Sequence, residues 1–180
     1  GIQLQTGSDG NTVEGNYLGL LADGSTVSSN NYGVGVFSNS NNNTIGGTTA
    51  AARNVLSGNI NPGVTLLGNN NVVVGNYIGT DATGLLDRGN TNGNINVIGG
   101  SNNIIGGTTA AERNIIAGSG STGIAIYNVG TTGTIVQGNY IGVAADGTTA
   151  LGNDSGGIWI GSSSSGHLIG GTTTGAGNLI

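Results

Sequence analysis

Apolar residues in this chain fall in short alternating runs that begin on a small residue. They read "GIQL" at Gly1, "GVGV" at Gly33, "GVTL" at Gly63, "NINV" at Asn94, "GIAI" at Gly123 and "GIWI" at Gly157. The starts lie 32, 30, 31, 29 and 34 residues apart. Alternation of period two predicts a strand with one buried face. A second apolar run follows each of these: "NTVEGN", "NTIGG", "NVVVGN", "NIIGG", "TIVQGN" and "HLIGG". A third strand is expected over "RNVLSGN" and "RNIIAGS" in one type of unit. In the other type it is expected over the looser "LLDRGN" and "TTALGN". Gly, Asn and Asp punctuate the junctions, as turns require. No stretch has capped helical periodicity, and "TTAAERN" is too short to stand alone as a helix.

Two longer motifs alternate along the chain. "GNYLGLLADG", "GNYIGTDATG" and "GNYIGVAADG" begin at Gly15, Gly75 and Gly138. "IGGTTAAARN", "IGGTTAAERN" and "IGGTTTGAGN" begin at Ile45, Ile105 and Ile169. The unit is therefore about thirty residues, with six units of two alternating types. A unit of three short strands cannot bury its apolar face alone, whereas stacked units can. With parallel neighbours ~4.8 Å apart, six turns form a column roughly 29 Å tall. The prediction is an all-β coil of parallel strands, three per turn, in one domain spanning 1–180.

The paired "IGGTTAAxRN…SGN" and "GNYIGTDATG" motifs resemble the right-handed parallel β-helix repeats of large bacterial extracellular and surface proteins. The wider fold is similar to that of pectate lyases. The resemblance covers essentially the whole chain. It implies a right-handed parallel β-helix and an extracellular or cell-surface location. It implies no single activity, because this architecture carries many.

Stacking turns positions into columns. Ile2, Val34, Val64, Ile95, Ile124 and Ile158 form one inward column, and Leu4, Val36, Leu66, Val97, Ile126 and Ile160 the next. Val13, Ile45, Val73, Ile105, Val136 and Ile169 form a third. Two residues before that third column stand Asn11, Asn43, Asn71, Asn103, Thr134 and His167. This predicts an asparagine ladder at a corner, where an amide can both donate and accept. His167, the only histidine, takes a structural place in that ladder. Tyr17, Tyr77 and Tyr140 of the "GNY" motif are expected to fill every second corner with their hydroxyls at the surface.

Composition narrows the function classes. Charged residues are 6% of the chain, the net charge is −5, and Lys is absent, which excludes the clustered cations that phosphate binding needs. Hydrophobic residues at 35%, regularly placed, argue against disorder. No apolar run approaches the ~18 residues of a membrane span, and no leader or lipidation motif is legible. Without Cys there is no disulfide framework or thiolate metal site.

Asp23 and Asp146 each precede Gly and read as turn residues, and Asp81 lies two positions earlier in its copy of the motif. Their loops lie two turns apart and are not expected to share an ion. Arg53 and Arg113 are read as loop or surface residues, and Arg88 beside Asp87 as solvated. No carboxylates fall in register on consecutive turns. There is no nucleophile elbow, zinc-protease motif or phosphate loop. We therefore expect no catalytic residue, no metal site and no cofactor.

The exterior carries the more informative pattern. Alternation places Phe37, Leu67, Ile98 and Tyr127 in one outward row, with Trp159 one column over on the last turn. Apolar rows on so weakly charged an exterior form a candidate contact surface. Thr12, Thr44, Val72, Ile104, Ile135 and Leu168 form a second outward row. Neither end of the coil shows a polar or helical cap, which suggests a piece of a longer array or head-to-tail docking into a filament. The expected function is a non-enzymatic structural solenoid whose partner is itself, end to end or laterally, or which spaces other modules. The alternative is a carbohydrate-binding or polysaccharide-cleaving β-helix, motivated by the fold resemblance, Trp159 and the tyrosines. Paired threonines recur only on alternate turns, too sparse for an ice-binding array.

Overall fold

A computed structural model describes all residues, 1–180. The "GIQL"-type runs form β1 (Ile2–Leu4), β4 (Val34–Val36), β7 (Val64–Leu66), β10 (Ile95–Ile98), β13 (Thr122–Tyr127) and β16 (Gly156–Ile160). The second runs form β2 (Thr12–Val13), β5 (Thr44–Gly46), β8 (Val72–Val74), β11 (Ile104–Gly106), β14 (Ile135–Gln137) and β17 (Leu168–Ile169). The third set is β3 (Tyr17–Leu18), β6 (Val55–Leu56), β9 (Tyr77–Ile78), β12 (Ile115–Ile116) and β15 (Tyr140–Ile141). Each set stacks in chain order into its own sheet, of six, six and five strands. All strand pairs are parallel, and a bridge from Tyr140 to Leu179 extends the third sheet. The architecture is all-β and consistent with a right-handed parallel β-helix.

The three inward columns are as the alternation predicts. Ile2 pairs Val34, Val34 pairs Val64, and the register continues through Ile95, Ile124 and Ile158. Val13, Ile45, Val73, Ile105, Val136 and Ile169 pair likewise. A fourth column, Leu18, Leu56, Ile78, Ile116 and Ile141, closes the triangle from the third sheet. Seventeen of these side chains are buried in one core, each contributing roughly 1.5–3 kcal/mol; Ile2, Leu4, Leu18 and Ile158 pack against it, and Ile160 and Ile169 are exposed on the last turn.

The third strand differs from expectation in every second turn. It lies in "GNYIG" itself, not in "LLDRGN" or "TTALGN". Those segments belong to out-and-back loops closed by single antiparallel bridges, Leu20 to Val27, Thr80 to Asp87 and Val143 to Ala150. The glycine that ends "GNYIG" explains part of the repeat. Gly79 has φ +86°, and a Cβ there would collide with the Ala117 carbonyl oxygen.

The predicted asparagine ladder is present but interrupted. Asn11, Asn43 and Asn71 each donate from their backbone N–H to the Oδ1 of the next member, Asn43, Asn71 and Asn103, at 2.8, 2.9 and 2.8 Å. The Thr134 hydroxyl is buried without a partner, so the row breaks there. It resumes where Thr134 N–H donates to His167 Nδ1 at 3.1 Å. Burial lowers the His167 pKa and keeps the ring neutral, which leaves Nδ1 free to accept.

A second ladder has no gap. Asn16, Asn54, Asn76, Asn114, Asn139 and Asn178 stand just before the third-sheet position of all six turns. Each backbone N–H donates to the next Oδ1 at 3.0 to 3.2 Å. Each Nδ2 also donates to that same Oδ1 at 3.0 or 3.1 Å. Sequence spacing hides it, because the steps are 38, 22, 38, 25 and 39 residues, not about thirty.

Two substitutions test the ladders. Asn114→Ala strands the Asn76 N–H and the Val73 carbonyl inside the coil, and should cost about 2–4 kcal/mol of unfolding free energy. Thr134→Asn should repair the broken row and raise stability by about 1 kcal/mol. Chemical denaturation of both variants against the parent chain checks the opposite signs.

Candidate functional site

The side chains able to carry chemistry lie in the loops after the third strands and on the outer faces of the sheets. Each "GNY" loop is clamped by one carboxylate. Asp23 accepts from Ser25 N–H at 2.9 Å, Thr26 N–H at 2.8 Å and the Thr26 hydroxyl at 2.5 Å. Asp146 accepts from Thr148 N–H at 2.9 Å, Thr149 N–H at 2.8 Å and the Thr149 hydroxyl at 2.6 Å. In the middle copy Asp81 stands two positions earlier, yet reaches the equivalent amides of Leu85 and Leu86, both at 3.1 Å. Thr83 takes the vacated aspartate position and donates to Asp81. The carboxylate is thus fixed by the two amides it must satisfy, not by its place in the motif.

These bonds set the acidities. The Thr26 hydroxyl, then the Thr26 and Ser25 amides, hold the Asp23 pKa down to about 2. The Thr149 hydroxyl and the Thr149 and Thr148 amides do the same for Asp146, to about 2. At Asp81 burial pushes the pKa up, but Thr83 and the Leu86 and Leu85 amides outweigh it and the net shift is downward. Each carboxylate is an anion committed to its own turn.

The loops touch across their two-turn separation. Ala82 N–H donates to Gly24 O at 2.8 Å, and Ala145 N–H to Gly84 O at 2.9 Å. Arg88 is half-buried and bonded rather than wholly solvated. Its Nε–H donates to Ser25 O at 2.6 Å and its Nη2 to Ser25 Oγ at 3.0 Å, tying the second loop to the first. Nothing in the local sequence signals this contact, which spans 63 residues.

Arg53 and Arg113 also have a defined task. The Arg53 guanidinium lies 4.0 Å over the Tyr77 ring, and that of Arg113 lies 4.1 Å over Tyr140. Each Nε–H donates to the glycine carbonyl that opens "GNY": Arg53 to Gly75 O at 3.3 Å, Arg113 to Gly138 O at 2.9 Å. Arg and Tyr belong to alternate motifs, and the signal that joins them is that each motif recurs with the same period. Beside Tyr17 a cavity of about 610 Å³ is lined by residues including Leu20, Ala22, Ala50 and Arg53.

The outer row of the first sheet is the remaining candidate. Phe37, Leu67, Ile98 and Tyr127 are half-buried, and Ile98 pairs with Tyr127 across β10 and β13. The intervening column is small: Gly35, Thr65, Asn96 and Ala125. The Phe37 ring covers Gly35, where a Cβ would meet it at 2.8 Å. The Thr65 hydroxyl is buried there without a partner. Trp159 pairs with Ala125, is 48% exposed, and stands 5.6 Å from the Tyr127 ring at 44°. The second outward row, Thr44, Val72, Ile104 and Ile135, is also half-buried, and Leu168 is exposed. No group of three or more His, Cys, Asp or Glu side chains gathers to hold a metal ion. No helix is long and apolar enough to cross a membrane.

No family model, no curated protein and no solved structure matches this chain.

The loop carboxylates give a pH signature. Their contribution to stability is complete above the ordinary aspartate value of 3.8 and drains away as pH falls toward about 2, where Asp23 and Asp146 protonate in the fold. The lowered His167 pKa has the same sign at higher pH. Its contribution is present above 6.5 and is lost as pH falls below that value. Thermal melts from pH 7 to pH 2 should show both steps. Asp23→Asn with Asp146→Asn should reduce the acid step alone, leaving the share of Asp81, and His167→Asn should reduce the upper one.

Proposed function

We propose that this chain is a non-catalytic scaffold coil of an extracellular or cell-surface protein, one that assembles end to end or spaces other modules. One observation carries the reading. Six groups of the kind a lyase or hydrolase uses are committed to holding the coil: Asp23, Asp81 and Asp146 to their own turns, Arg53 and Arg113 to tyrosine faces, and His167 to the ladder. A retaining or inverting glycosidase needs two carboxyls facing one cleft. A lyase needs a basic group free to take a proton.

The test is incubation with neutral and acidic polysaccharides, with and without added calcium, followed by assay for reducing ends and unsaturated products. No release is expected. Turnover that disappears in a carboxylate variant would overturn the reading. Electron microscopy across a concentration series then separates fibres one coil wide, the assembling form, from discrete particles, the spacer.

A second reading rests on the Tyr127–Trp159 pair, an exposed aromatic corner on an uncharged face, which suits the apolar face of a sugar. Trp159 is the only tryptophan, so its fluorescence reports that corner alone. On the scaffold reading, oligosaccharides leave the emission unchanged. A saturable shift that vanishes in Trp159→Ala would instead establish carbohydrate binding.

A further inference from the structure

The corner that leads into the first sheet carries a short outer row of asparagines on three successive turns. Asn61 donates from Nδ2 to Asn31 Oδ1 at 2.7 Å, and Asn92 from Nδ2 to Asn61 Oδ1 at 3.2 Å. Asn31 and Asn92 are exposed and Asn61 is half-buried. The residues that follow them differ. Tyr32 follows Asn31, Pro62 follows Asn61 and Gly93 follows Asn92. No other asparagine in the chain precedes a glycine.

That difference decides whether an asparagine can react with its own backbone. The carboxamide carbon is an electrophile, and the nitrogen of the next residue closes a five-membered ring on it. Proline has no N–H to give up. A side chain on the next residue crowds the ring, and glycine has none. Gly93 sits at φ +111°, and a Cβ there would meet nothing closer than Asn96 Oδ1 at 3.4 Å. Gly93 is buried, yet its N–H donates to no acceptor in the chain, a rare state for a main-chain amide. Elsewhere the inner ladder closes this route. Asn42 and Asn70 are also exposed, but the N–H groups that follow them, those of Asn43 and Asn71, are given to Asn71 Oδ1 and Asn103 Oδ1 at 2.9 and 2.8 Å. The Asn92 carboxamide itself keeps a single bond, at the surface. A ladder member such as Asn76 donates from Nδ2 to Ile45 O, Val74 O and Asn114 Oδ1.

We propose that Asn92–Gly93 is a self-modification site, where Asn92 deamidates through a succinimide while the ladder asparagines stay intact. The Gly93 nitrogen bonds to Asn92 Cγ, the Cγ–Nδ2 bond breaks, and the Gly93 proton leaves on the departing ammonia. Water then opens the ring at either carbonyl, to aspartate or to isoaspartate. No oxidant or reductant takes part, and water is the only co-reactant. The product carries one more negative charge and has lost the donor that Asn92 offers to Asn61 Oδ1. Isoaspartate also lengthens the main chain by one carbon, two residues ahead of Ile95, where β10 begins. Asn94 lies between, buried, with its Nδ2 on Ala117 O at 2.8 Å. The fourth turn therefore holds a chemical clock, whichever role the coil serves.

The experiment is incubation of the full folded chain in mildly alkaline buffer, sampled over time and mapped by peptide mass spectrometry. An isoaspartyl-specific methyltransferase counts isoaspartate in the same samples, and hydroxylamine traps the succinimide. Asn92 should react at least roughly tenfold faster than any other asparagine. Both aspartate and isoaspartate should form there, with a hydroxylamine adduct at the same residue. Asn92→Gln keeps the amide but cannot close a five-membered ring, and should abolish the isoaspartate signal; thermal melts confirm that this variant is folded. The parent chain in denaturant supplies the reference rate. Asn92 intact in the folded chain after it has been consumed in denaturant, earlier reaction at Asn42 or Asn70, aspartate without isoaspartate, or an undiminished isoaspartate signal in Asn92→Gln would each overturn the proposal.

Discussion

The corner, not the strand, is the constraint on which this coil depends. Its strands are mostly two or three residues long, so most of the backbone lies in turns. Of 90 backbone hydrogen bonds, 28 lie within strands and 62 in turns and loops. A sharp corner leaves buried amides and carbonyls with no regular partner, and each unmet group costs about 1–3 kcal/mol. The row from Asn16 to Asn178 meets this cost at the same corner on every turn, with one side-chain oxygen accepting two N–H groups from the turn before. The aliphatic columns supply the driving force, and the asparagines make the geometry affordable.

With that corner fixed, loop length is free to vary. The alternating steps of the unbroken ladder place a long excursion after the third strand in one turn and a compact "TTAA" bend before it in the next. The sixty-residue repeat is therefore a period of loops, whereas the coil itself repeats about every thirty residues. Because loops of one type reach across the intervening turn and bond to each other, they form an outer layer. Arg88, Arg53 and Arg113 act as its cross-ties.

This economy explains why so polar a chain offers so little free chemistry. The ladder asparagines, the loop carboxylates of Asp23, Asp81 and Asp146, and all three arginines are taken up by a backbone group or a ring. On the outer face of the first sheet the half-buried apolar row ends at the exposed Trp159.

The amino-acid sequence by itself determined the coil. Period-two alternation at a thirty-residue spacing fixed the first two sheets and their register, because a one-residue slip would turn every Val and Ile outward. It also exposed the ladder from Asn11 to His167, which sits at a constant offset from a visible column. Only the tertiary structure decided the third sheet, the second ladder and the loop contacts. Two-residue strands such as Tyr77–Ile78 carry too little alternation to be read, and unequal loops conceal that Asn54 and Asn76 are neighbours. Arg53 over Tyr77 and Arg88 on Ser25 are contacts between motifs that the sequence keeps apart. Stacking at a fixed rise brings them together, and that rise is a property of the backbone ladder, not of any local stretch of residues.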